Sequence, residues 1–129
     1  MSTSARIAKR EDDGTVRSVY CHFDGYPSYV GKLLRHHYTD SEIVDIMMNF
    51  GNFRALEEHV SDISFYITES SPMDELAMRH ASTEDFLEYG SKSASEYLYL
   101  FDQNRWRCWS TWSGSEIQLS EETDKDPQF

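Results

Sequence analysis

Tyr20-Cys21-His22-Phe23-Asp24-Gly25-Tyr26-Pro27 decides how the chain is read, because a strand ends in it and a helix begins. Val16 to Phe23 alternates as a strand does, with Arg17, Val19, Cys21 and Phe23 on one face. Val16, Ser18, Tyr20 and His22 share the other. Gly25 permits a turn that residues with a Cβ resist. Pro27 suits the first turn of a helix, where its missing N–H costs nothing. The same eight residues gather a thiol, an imidazole, a carboxylate and three aromatic rings besides the imidazole.

Working outward, Arg6 to Arg10 reads as a strand, and Asp13-Gly14 is a hairpin turn leading into Val16. On the other side, Tyr29, Val30, Leu33, Leu34 and His37 fall on one helical face. Thr39 with Glu42 forms a capping box for a second helix, with Ile43, Ile46, Met47 and Phe50 as its buried stripe. Gly51 is placed to end that helix in a left-handed conformation. In the middle, the expectations are a helical turn over 53–58 and a strand over 63–67. Ser71-Pro72-Met73-Asp74 signals a helix start, with a short run to His80. A further short helix is expected from Ser82 or Thr83 to Tyr89, ended by Gly90.

A second hairpin follows, from Glu96 to Phe101 and from Arg105 to Trp112, turning at Asp102-Gln103-Asn104. Two hairpins bracketing a helical segment predict an α+β domain over residues 1–112. Its sheet is mainly antiparallel, with helices packed on one face. Residues 113–129 turn polar and acidic and are expected to form a flexible tail.

The chain has 129 residues, the size of one domain, and a net charge of -11. The charge is uneven: through Tyr38 there are six Lys/Arg against four Asp/Glu, and the remainder is strongly acidic. Such a surface repels phosphate, which argues against duplex nucleic acid, and suits a basic partner or plain solubility. Mimicry of nucleic-acid phosphate is one form that protein binding could take. The two cysteines, Cys21 and Cys108, lie in no Cys-x-x-Cys pair, as expected of a reduced intracellular protein. Neither a long apolar run nor the apolar core of a secretory signal is present in the sequence, so a cytosolic protein without membrane contact is expected.

The chemical readings are weighed residue by residue. Gly25 to Lys32 departs from a phosphate-binding loop, because five residues separate the glycines and Leu33 replaces the hydroxyl. Cys21 could pair with a histidine as a nucleophile, but strand alternation turns His22 away from it and the thiol inward. A metal could draw on Cys21 or His22, Asp24, and His36 or His37, yet no zinc-finger spacing is present. No catalytic residue, metal or cofactor is therefore assigned. Asp24 reads best as a backbone acceptor at the helix start. His22, Asp24, Tyr26 and His37 remain a candidate ligand site. Arg105, Arg107 and Trp109, on one strand face, are a candidate protein-binding surface.

The run from Gly14 to Lys32 resembles a family of small uncharacterised proteins of tailed bacteriophages and prophages. Their signature is Tyr-Cys-His-[Trp/Phe]-Asp-Gly-Tyr-Pro, followed by a glycine and a Leu-rich helix ending in His-Tyr, here His37-Tyr38. Glu96 to Asp102 with Trp106 is similar to the family's C-terminal part, and the acidic end from Ser113 lies outside it. The resemblance implies a phage protein acting in the host cytoplasm during infection, and it carries over no catalytic residue or substrate. Such accessory proteins often redirect host machinery, so the expected role is non-catalytic binding of a host protein. The alternative is a small-molecule binder or small enzyme built at Cys21, His22, Asp24 and Tyr26. A virion component fits the size, and homo-oligomerisation is left open.

Overall fold

Two hairpins set side by side make the sheet. The computed structural model describes residues 3–68 and 75–125. Six strands, β1 (Ala5–Arg10), β2 (Val16–Cys21), β3 (Met78–His80), β4 (Tyr97–Asp102), β5 (Arg105–Ser110) and β6 (Glu116–Ile117), stand in the order β3-β2-β1-β4-β5-β6. The β1–β2 turn follows the Asp-Gly signal. Gly14 takes a φ of 89°, and the Asp13 carboxylate accepts from the N–H and hydroxyl of Thr15 at 3.0 and 2.6 Å. Every pairing between these strands is antiparallel except β1–β4, which runs parallel with Ile7 opposite Tyr99. A parallel pair needs a long crossover, and the helical middle of the chain supplies it.

Four helices have their whole span among the described residues: α1 (Lys32–His37), α2 (Ser41–Phe50), α3 (Thr83–Lys92) and α4 (Glu121–Lys125). A wide turn over Pro27–Gly31 leads into α1, closed by the Lys32 N–H reaching back five residues to the Pro27 carbonyl. Strand alternation sends Ile7, Val19, Cys21, Tyr99 and Cys108 to one face, against Val30, Leu34, Val44 and Met47. Ala8, Val16, Leu98, Leu100 and Trp109 go to the other, where Phe86 of α3 packs.

The architecture is α+β, as the patterning predicts. Helices were expected on one face; α1 and α2 lie there, while α3 covers the opposite face. The reason lies in β1 and β4, where both sides of the strand are apolar, so an uncovered second face would expose Leu98 and Leu100 to water.

Several local expectations are corrected. The cap of α2 is Asp40, whose carboxylate accepts from the Glu42 N–H at 2.8 Å, one residue beyond Thr39. The helix capped by Ser82 does not stop at Gly90 but continues to Lys92; the glycine is there for packing, because it sits on Leu98, where a Cβ would approach within 2.4 Å. Phe53 forms isolated bridges to Cys21 and to Phe65 instead of starting a helical turn, and 63–67 is not a regular strand. Ser71 to Asp74 lies outside the described residues, but Met78–His80, where a helix was expected to end, is the edge strand β3.

The acidic end is docked through Lys125. β6 pairs with β5, and Leu119 lies so close to Gly31 that a Cβ there would meet its Cδ2 at 2.9 Å. The Asp124 side chain is buried between Arg35 and His36. Arginine partners on the globular part hold what composition alone marks as a loose tail.

Candidate functional site

The bend after β2 is built by close approach. Past Cys21 the strand's outer edge is taken up by Phe53 and Arg54, whose carbonyls accept from the N–H groups of His22 and Phe23 at 3.2 and 2.7 Å. Positive φ then falls on Asp24, at 57°, and not on Gly25. Asp tolerates this left-handed conformation better than most residues. Gly25 is needed for a different reason: its N–H donates to the Thr3 carbonyl at 2.7 Å, and a Cβ would meet Ala5 and the Ser4 backbone at 2.8 and 3.0 Å. The buried Tyr99 hydroxyl donates to the Gly25 carbonyl at 2.7 Å. The bend is thereby tied to β1 and to β4.

The Asp24 carboxylate is exposed, and no side chain caps the helical turn that starts at Pro27. The capping role read for Asp24 is replaced by a conformational one. Cys21 is fully buried, with its thiol toward the Phe23 carbonyl at 3.4 Å. Burial pushes that thiol up to about 12, so it is a protonated, packed group at neutral pH.

The four candidate ligand residues do not converge. His22 is half-buried, its Nδ1 2.8 Å from the Tyr20 hydroxyl, on the opposite side of the strand from Cys21. Tyr26 lies beside Tyr29 with ring centres 6.3 Å apart. His37 lines a shallow groove with Tyr29, Lys32, Leu33, His36 and Glu58. Among the described residues no hydrogen bond, ion pair or ring contact joins His37 to His22, Asp24 or Tyr26, and no group of three His, Cys, Asp or Glu could hold a metal ion.

The Arg105–Arg107–Trp109 face is partly closed. Trp109 is 8% exposed and packed in the cluster under α3. The Arg107 guanidinium lies 4.7 Å from the Trp109 ring centre and pairs with Glu116 of β6 at 2.9 Å. Arg105 alone is exposed. Trp106 faces the core as alternation predicts, donating from Nε1 to the Tyr38 carbonyl at 2.8 Å. The strand was expected to run to Trp112; it stops at Ser110, and Trp112 beyond it is 96% exposed.

Sequence reasoning passed over Arg6. It sits on the central strand, on the face covered by α3, opposite Tyr20 of β2 and Leu98 of β4. It is 7% exposed. Nε donates to the Ser18 hydroxyl at 3.0 Å and Nη2 to the Ser18 carbonyl at 3.2 Å. The Tyr89 ring of α3 lies 5.3 Å from the guanidinium carbon. His80 Nε2 is 2.8 Å from the same Ser18 hydroxyl, and its ring packs on Phe86 and Tyr89. Burial, then the Arg6 charge, lowers the His80 basicity. The available signal was an arginine flanked by Ala5 and Ile7 in a strand buried on both faces.

No protein-family model, no curated protein and no solved structure matches the chain.

Proposed function

We propose that the protein acts in the cytoplasm of a phage's host by binding a host protein without catalysis. Trp112 is the anchor in this reading, and the acidic surface selects a basic partner. The observation that carries it is the 96% exposure of Trp112. An exposed ring of this kind offers about 200 Å² of surface to whatever packs on it. Trp is also the residue type most enriched among binding hot spots. Beside it runs a groove lined by Glu96, Tyr97, Ser110 and Thr111.

The charge arrangement supports the same reading. Lys9, Arg10, Arg17, Arg35, Lys92 and Arg107 are held in ion pairs within the chain. Carboxylates such as Asp40, Glu42, Glu57 and Asp62 stay exposed, so the outward field is negative. The resemblance to phage accessory proteins supports the host as the source of the partner. Among the described residues no helix is long and apolar enough to cross a membrane.

The test is capture from host lysate on the immobilised chain, with Trp112→Ala alongside. One stoichiometric partner is expected, retained less well as salt rises and lost with Trp112→Ala, while the variant melts like the parent. Recovery of no partner from several hosts, or equal capture by both chains, would overturn the reading.

A further inference from the structure

Arg6 is a cation placed where a protein interior normally supplies an anion. Buried charges are paired or bound to a counter-charge, because removal from water otherwise disfavours the ionised form. This chain has 23 acidic residues, yet among the described residues none pairs with Arg6. The groups acting on it are neutral: the Ser18 hydroxyl and carbonyl and the phenols of Tyr89 and Tyr20. Every other arginine with a described ion pair finds its carboxylate on the same chain, as Arg17 finds Glu11 and Asp45.

The guanidinium is also not sealed. Nε and Nη2 are used on Ser18, whereas Nη1 makes no hydrogen bond among the described residues. Among the described residues the buried side-chain atoms left without a partner are Arg35 Nε and Asp124 Oδ1; Nη1 of Arg6 is not one of them, and the residue keeps 7% of its surface exposed. Around it stand donors and ring faces. Ser18 accepts from Arg6 and can donate to His80 Nε2, which a neutral imidazole accepts; the other ring nitrogen then carries a proton. Tyr89 is 38% exposed and its ring stands over Arg6 and beside His80, and Tyr20 carries His22 on its hydroxyl. Asp85, in the first turn of α3, acts on His80 more weakly than burial and Arg6 do.

We propose that Arg6, with Ser18, His80 and Tyr89, forms an anion site that takes a single oxyanion group, phosphate or carboxylate, of a small ligand. The oxyanion accepts from Arg6 Nη1 as a charge-assisted hydrogen bond, while the Tyr89 ring holds the guanidinium by its face. This site lies on the face of the sheet under α3, uses none of the residues proposed for protein binding, and stands or falls separately from that reading.

The experiment follows the Arg6 side-chain and His80 ring signals of labelled protein by NMR. Inorganic phosphate and acetate are titrated in separate arms against chloride at matched ionic strength, and melting temperature is recorded in parallel. Saturable shifts centred on Arg6, Ser18 and His80, with a raised melting temperature, are expected in at least one arm. A response to phosphate alone assigns a phosphate-bearing ligand, and one to acetate alone assigns a carboxylate. Arg6→Met keeps the length of the side chain and removes the charge; it should weaken binding by at least about tenfold, the scale of one charge-assisted hydrogen bond. If that variant does not fold, the position of the shifts in the parent chain decides alone. Shifts no larger than those with chloride, or confined to exposed residues such as Arg105, would overturn the proposal.

Discussion

Tyr99→Phe tests whether the Tyr20–Pro27 bend is a structural joint. The substitution removes one oxygen from a fully buried ring and leaves the ring's packing in place. What it deletes is the 2.7 Å bond to the Gly25 carbonyl, together with the interaction of the same oxygen with the Cys108 thiol. Burial holds the phenol well above its ordinary range, so it is a proton donor throughout the accessible pH range. A lost buried hydrogen bond that strands an acceptor costs about 1–3 kcal/mol. For a chain of this length that lowers the melting temperature by about 4 °C per kcal/mol, or about 4–12 °C. Tyr97→Phe is the control, since Tyr97 lies two residues earlier on the same strand face, is half-buried, and makes no side-chain hydrogen bond among the described residues. Its change should stay within about 0.5 kcal/mol. Urea unfolding followed by circular dichroism measures both. If the two variants unfold alike, the bond to Gly25 contributes nothing and the argument that β4 anchors the bend is refuted.

Gly25→Ala should destabilise by about 1–3 kcal/mol, since its Cβ meets Ser4 backbone that cannot yield; a neutral result in the same unfolding assay would contradict the close approach. Cys21 and Cys108 should resist alkylation in the native protein at pH 8 and react on unfolding, because burial raises both thiols; rapid native labelling, followed by mass spectrometry, would place them at the surface. Burial raises the Asp124 carboxyl, but the bonds from His36 and Arg35 outweigh it and hold its pKa below the ordinary value. Its stabilisation is therefore present above about pH 4 and lost as pH falls through the lower folded value; Asp124→Asn should flatten that limb of a melting-temperature profile. His80, also lowered, should contribute a second loss as pH falls below about 6.5, absent in His80→Gln.

Much of the frame was legible one residue at a time. The Asp-Gly turn, the alternation of Val16 to Cys21 and the terminator Gly51 are local signals, and each depends on backbone geometry that its own few residues impose. The same signals placed Cys21 inside and His22 outside, which disposed of a thiol–imidazole pair. The expected stripe of α2 is corrected: Met47 is buried, but with Val44 and Met48, while Ile46 and Phe50 are 41% and 48% exposed, because the position of the sheet and not the helical period alone chooses which face is covered. Other features were not legible because they are set across the chain. Gly25 reads as a turn glycine, yet what requires it is the Ser4 backbone, twenty-one residues away in sequence. The acidic end reads as solvated until Arg35 and His36 are seen to receive Asp124. Trp106 and Trp112 would share a face if the strand ran on, and only the place where β5 stops, at Ser110, leaves the second ring 96% exposed.

Local sequence determined which segments are strands, helices and turns, because hydrogen-bond period and φ preference act over a few residues. The tertiary structure decided which charges are paired and which surfaces are open, because burial and Coulomb interaction depend on distance in space, where Ser18 and His80 are neighbours of Arg6 and no described carboxylate pairs with it.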